Sequence, residues 1–120
     1  MSELASYPDY PFSPKRFDRG KGIGLSYLDE GPADADPVLM LHGNPSWSYC
    51  WRHMVVGLRD GYRCIVPDHI GMGLSDKPDD SAYTYTLQSR VDDLDRLVAS
   101  LGLTRKITLA VHEWGGMVGF

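Results

Sequence analysis

This chain is short of cysteine, of clustered positive charge and of long apolar runs, and each shortage removes a class of protein. Two cysteines, Cys50 and Cys64, are too few for a disulfide-stapled secreted scaffold. Their contexts predict a buried helix for Cys50 and a buried strand for Cys64, so packed thiols are the expectation and a disulfide the alternative. Lys and Arg number 12 against 16 Asp and Glu, a net charge of −4 with no basic cluster. That argues against nucleic acid or an anionic membrane as partner. No stretch approaches the ~18 apolar residues of a membrane span. Met1-Ser2-Glu3-Leu4 also lacks a basic-then-apolar leader, so a cytoplasmic location is expected. Repeats and low-complexity segments are absent as well.

What is present suits one globular core: 120 residues, of which 42% are hydrophobic. Residues 1–15, with Pro8, Pro11 and Pro14 among Tyr7, Tyr10 and Phe12, read as an extended arm draped on the domain. Arg16-Phe17-Asp18 begins a strand, and Gly20-Lys21-Gly22 turns it into a second over residues 23–30. Apolar residues at 23, 25 and 27 give that second strand one apolar face, an antiparallel opening pair at the sheet's edge.

From Val38 the pattern changes. Val38-Leu39-Met40-Leu41 is continuously apolar, the mark of a strand covered on both faces. Ser46-Trp47-Ser48 offers caps for a helix burying Trp51, Met54, Val55 and Leu58. The strand Tyr62–Asp68 follows, then the glycine-punctuated loop Gly71–Pro78. Thr86 caps a helix with apolar residues at Leu87, Val91, Leu94, Val98 and Leu101, and Gly102 ends it. The last strand, Ile107–Val111, runs into His112-Glu113-Trp114-Gly115-Gly116. Strand–helix–strand–helix–strand with apolar strands specifies a doubly wound α/β sheet. Its ligand crevice lies at the carboxyl ends of the strands, which brings residues 42–46 and 112–116 to one site.

The corner at Glu113-Trp114-Gly115-Gly116 has the form of a nucleophile elbow, in which glycines let the chain turn sharply from strand to helix. A carboxylate at its tip, with a reference pKa of about 4.3, is ionised near neutrality and can attack carbon without a base. Asn44 and Trp114 are the candidate partners for an oxyanion or leaving group. Against these roles stand a turn function for Asn44 before Pro45 and plain packing for Trp114. His42 is expected to hold its loop by a hydrogen bond rather than to catalyse. His53 is expected on the exposed side of a helix, and His69 in a loop. Asp92, Asp93 and Asp95 are expected to be solvated. His42, Asp68, His69, His112 and Glu113 do not match a zinc spacing, and Gly71-Met72-Gly73 lacks the third glycine of a phosphate cradle, so no metal or cofactor is expected.

Three motifs in order, His42-Gly43-Asn44-Pro45, Asp68-His69-Ile70-Gly71-Met72-Gly73-Leu74-Ser75-Asp76-Lys77-Pro78 and Val111-His112-Glu113-Trp114-Gly115-Gly116, resemble the α/β-hydrolase superfamily, in its haloalkane dehalogenase branch. Ser46-Trp47-Ser48-Tyr49, Cys64–His69 and Tyr85–Asp93 are most similar to the bacterial β-lactone decarboxylases of long-chain olefin synthesis. The resemblance implies an α/β-hydrolase core over residues 16–120 and a nucleophile at Glu113. It also implies oxyanion or leaving-group contacts from Asn44 and Trp114, with His42, Gly43, Pro45, Gly115 and Gly116 supporting them. The substrate it implies is small and hydrophobic, a long-chain β-lactone or, in the alternative, a haloalkane; the partners would be other olefin-pathway enzymes. A non-catalytic binding module of the same fold is the reading from another class. The family carries Asp where this chain has Glu113. Its catalytic histidine, the acidic partner and the helical cap fall beyond residue 120, so the 120 residues alone are expected to be inactive and poorly stable.

Overall fold

A computed structural model describes residues 12–18, 20, 22–43, 47–79, 81–103 and 107–111. Five strands, β1 (Lys15–Asp18), β2 (Gly24–Glu30), β3 (Pro37–Leu41), β4 (Arg63–Pro67) and β5 (Thr108–Val111), form one sheet in the order β1-β2-β4-β3-β5. β1 and β2 are the expected antiparallel hairpin, and the turn between them needs Gly20 and Gly22 at φ of 123° and 72°. β2 joins β4 antiparallel, whereas β3 is parallel to both β4 and β5. A bidentate Arg63–Asp29 pair, at 2.8 and 2.7 Å, ties β4 to β2 across that junction.

Every residue of β3 is buried, as its unbroken apolar run requires. The period of two sends alternate side chains to opposite faces. Val38, Met40, Cys64 and Val66 pack with Leu28, Val55 and Phe12 on one side. Leu39, Leu41 and Ile65 meet Val91, Leu94 and Val98 on the other. The helix after β3 therefore covers one face and the helix after β4 the other, which is the doubly wound arrangement. Phe12, 5% exposed, shows the end of the N-terminal arm packed into the core.

α2 (Leu87–Ser100) begins and ends where the sequence placed it. The Thr86 hydroxyl accepts the Ser89 N–H at 3.1 Å, and Gly102 adopts φ 63° after the last turn. Leu97, outside the predicted stripe, is fully buried on it.

Five expectations are corrected. The segment after β3 is a 3-10 turn (Ser48–Trp51) followed by a short helix α1 (Arg52–Leu58), not one continuous helix. On it Met54 is 44% exposed, and Cys50 is exposed although only two residues from buried Ser48, because three residues per turn swing it to the other side. Both cysteines are unbridged thiols. β2 is covered on both faces: Ile23 and Leu25 pack on the α2 side while Ser26 and Leu28 are buried on the other. Asp93 is not solvated; it is 3% exposed and accepts the Tyr83 hydroxyl at 2.6 Å. β5, at the edge of this sheet, is only partly buried.

The loop from β2 to β3 turns at Gly31, φ 103°, where an added Cβ would overlap the Tyr62 carbonyl oxygen. Gly61 has open space at the same point. Gly31→Ala is expected to lower unfolding free energy by at least about 1–2 kcal/mol, the cost of a left-handed non-glycine residue before the clash is added. Gly61→Ala is expected to change it little, with urea unfolding midpoints as the measurement.

Candidate active site

The chain leaves β3, crosses to β4 on one side, then returns past β3 to form β5 on the other side. The sheet's topological switch point therefore lies between β3 and β5, whose last residues, Leu41 and Val111, are register partners. Residues 42–46 and 112–116 continue from those two neighbouring ends. Of the sequence candidates, His42 and Gly43 are described and both are buried. Asn44, Pro45, Glu113, Trp114, Gly115 and Gly116, together with Ser46 and His112, lie outside the described residues.

His42 is fully buried and both ring nitrogens are occupied. Nδ1 donates to the Gly43 carbonyl at 2.7 Å, since a carbonyl can only accept, and Nε2 accepts the His69 N–H at 3.0 Å. A neutral imidazole used in this way has no nitrogen left for proton transfer or a metal. His42 is the loop-holding residue the sequence suggested. His69, placed in a loop by the sequence, is buried at 6% exposure. Its Nε2 donates to the His42 carbonyl at 3.2 Å, and the two rings lie 4.3 Å apart between centroids. Burial is the main reason His42 is lowered to about 4, opposed by its bond to Gly43 and reinforced by the positive Arg90. Burial, then the neighbouring His42 and Arg90, takes His69 to about 3. Both are neutral at physiological pH.

Asp68 directly follows β4 and is the residue whose role the sequence left unread. It is 1% exposed, and its carboxylate accepts the N–H of Ser48 at 2.6 Å and of Leu74 at 2.9 Å. Its N–H donates to the Ser26 carbonyl at 2.8 Å, and its own carbonyl accepts the Ser75 hydroxyl at 2.6 Å. Burial raises its carboxyl above the usual carboxylate range, against the bonds from Leu74 and Ser48 that lower it. An added Cβ on Gly73 would meet this carboxylate and Trp47, so the second glycine of the Gly71-Met72-Gly73 loop is there for close approach. The available signal was a carboxylate at a strand's end directly before a glycine-rich loop. Among the described residues no group of three or more His, Cys, Asp or Glu could hold a metal ion. No described helix is long and apolar enough to cross a membrane.

The family model for the alpha/beta hydrolase fold matches residues 36–120. A cis-3-alkyl-4-alkyloxetan-2-one decarboxylase from Xanthomonas campestris pv. campestris is 69% identical, over 96% of this chain and 40% of its own length. A haloalkane dehalogenase from Psychrobacter cryohalolentis is 44% identical, over 98% of this chain and 40% of its own. Among solved structures, the haloalkane dehalogenase DpaA of Paraglaciecola agarilytica superposes with a TM-score of 0.85 at 35% identity, covering 99% of this chain and 41% of that one. The chain belongs to the alpha/beta hydrolase family. It spans about 40% of the length of the two relatives just named.

The two histidines make stability depend on pH in one direction. An unfolded His has a pKa of about 6.5, so below that value the unfolded chain binds protons that the folded chain refuses until about pH 4 for His42 and about pH 3 for His69. Their contribution is fully present above pH 6.5 and is lost as pH falls from there to about 4 for His42 and about 3 for His69. Urea midpoints measured from pH 7.5 to 4.5 are expected to fall over this window. Asp68 titrates in the opposite sense, so the histidine share is isolated by His69→Gln, in which the fall is expected to be smaller.

Proposed function

We propose that this chain supplies the nucleophile-bearing part of an enzyme of the β-lactone decarboxylase type, converting a cis-3,4-dialkyl-β-lactone to an alkene and carbon dioxide. The observation that carries the reading is the 69% identity to a protein of that activity, against 44% to a dehalogenase. The switch point between β3 and β5 supports it, because the candidate nucleophile and its candidate electrophilic partners follow those two strand ends. In this reading residues 1–15 are the arm and 16–120 the first part of the hydrolase core.

Glu113 is assigned as the nucleophile at the tip of the elbow. Its carboxylate attacks the ring carbon that bears the lactone oxygen. That carbon–oxygen bond breaks, leaving an enzyme ester and a free substrate carboxylate. Loss of carbon dioxide then moves the carbon–carbon electron pair into the new double bond and expels the Glu113 carboxylate, with no water consumed. Asn44 and Trp114 stabilise the leaving carboxylate as it forms, while His42, Gly43, Pro45, Gly115 and Gly116 shape the loops. The long alkyl chains make the substrate small-headed and hydrophobic. The reaction is assigned to long-chain olefin synthesis in the cytoplasm, with the enzymes of that sequence as partners and without a cofactor.

A haloalkane substrate is the second reading, favoured by the 0.85 TM-score with a dehalogenase. The same attack would then expel halide, and the ester would need water to resolve it. Glu113 itself favours a third reading, a non-catalytic binding module, because the family has Asp there. The extra methylene shifts the carboxylate by about 1 Å, a misplacement that can cost on the order of 10²-fold in rate.

The test joins residues 1–120 to the complementary remainder of the Xanthomonas relative, with Glu113 and with Glu113→Asp. Each form is given a β-lactone and a 1-haloalkane. Carbon dioxide release is expected from the lactone, about 10²-fold faster with Glu113→Asp. Halide release alone would replace the lactone reading with the dehalogenase one, and no turnover by either form would leave the binding module.

A further inference from the structure

The two residues that follow β4, Asp68 and His69, hold His42 and Ser48 on either side of the segment after β3. His69 grips its entrance: its N–H donates to the His42 ring and its own ring donates to the His42 carbonyl. Asp68, its neighbour, grips the exit by accepting the Ser48 N–H at 2.6 Å. The Ser48 hydroxyl bonds to the same carboxylate. The 3-10 turn that starts at Ser48 has no side-chain cap from Trp47, the residue before it, so the carboxylate twenty positions away satisfies an N–H that a local cap would otherwise take. Asp68 is itself fixed, by Ser26 behind it and by Leu74 and Ser75 in front. All of these bonds are buried or partly so, where water cannot replace a missing partner.

We infer that Asp68 and His69 form a clamp on His42 and Ser48, the two described ends of the segment after β3, and that they are positioning residues for what that segment contributes to the reaction. Within the function proposed above, on which this part of the inference rests, that contribution is Asn44. Neither clamp residue touches substrate. They act through the two ends they hold, His42 and Ser48.

The chemistry separates the two grips. In Asp68→Asn the side chain keeps its shape but offers one oxygen and one NH₂, so either the Ser48 or the Leu74 N–H faces a donor and is left unpaired. His69→Ala removes only the ring bond to the His42 carbonyl and leaves the Asp68 grip intact. It is the milder change, and it keeps the inference testable should Asp68→Asn fail to fold.

The experiment uses the same fusion in its Glu113→Asp form and reads amide hydrogen exchange together with kinetics. Asp68→Asn is expected to speed exchange in fragments covering 47–51 by about tenfold or more, the factor for losing one hydrogen bond to a charged group. Fragments from α2 are expected to be unchanged. His69→Ala is expected to speed exchange in fragments at 42–44 and not at 47–51. With β-lactone, both variants are expected to lose kcat, toward the 10²-fold scale of a 1 Å misplacement, with KM nearly constant. Unchanged exchange at both ends would overturn the clamp. Faster exchange with unaltered kcat would overturn the positioning role, as would a loss confined to KM. A parent fusion that turns over no substrate would sink the functional reading alone, since the exchange measurement does not need turnover.

Discussion

The structure depends on the complete burial of β3. A strand without an exposed residue must have cover on both faces, and in this sheet successive crossovers to opposite sides provide it. The turn and α1 take one face and α2 the other, which forces the strand order to reverse about β3. That reversal makes the carboxyl ends of β3 and β5 the switch point of the sheet. The position of the candidate site thus follows from the hydrophobicity of five consecutive residues, Pro37 to Leu41.

A sheet built in this way leaves polar backbone at its loop-bearing end, which must be satisfied without water. The end of β4 meets that need with ionic and neutral groups of different kinds. Asp68 gives two carboxylate oxygens to two backbone N–H groups, a charge-assisted arrangement that offsets part of the cost of burying it. The two histidines use imidazoles kept neutral by the same burial. One strand terminus thereby organises the opening of the 3-10 turn, the Gly71–Ser75 loop and the start of the segment after β3.

Much of the fold was legible because its signals are local. The Gly20–Gly22 turn, the apolar runs of β3 and β4, the Thr86 cap and Gly102 each specify their element within a few residues. Three of the misses turn on a partner outside the element itself. The segment after β3 opens in a 3-10 turn whose first N–H is held from Asp68, twenty positions away. Asp93 was read as solvated because the Tyr83 hydroxyl that satisfies it comes from the loop ahead of the helix. β2 was read as one-faced because only its neighbours decide that Ser26 and Leu28 are covered too. At the site, the structural role of His42 could be read from its place beside the loop glycine. The Asp68 role could not, since its bonds reach positions 26, 48, 74 and 75 at once. The assignments at Asn44, Glu113 and Trp114 remain readings of sequence and family.

The two thiols live in different chemical worlds. Burial pushes the Cys64 thiol up to about 11, so at neutral pH almost none of it is thiolate, and the sheet shields it from oxidants and alkylating reagents. Cys50 is on the surface of the 3-10 turn, two residues beyond the Ser48 that Asp68 holds. A maleimide dye added to the folded chain would therefore be directed to one address, and that address reports on the 3-10 turn whose first N–H Asp68 holds.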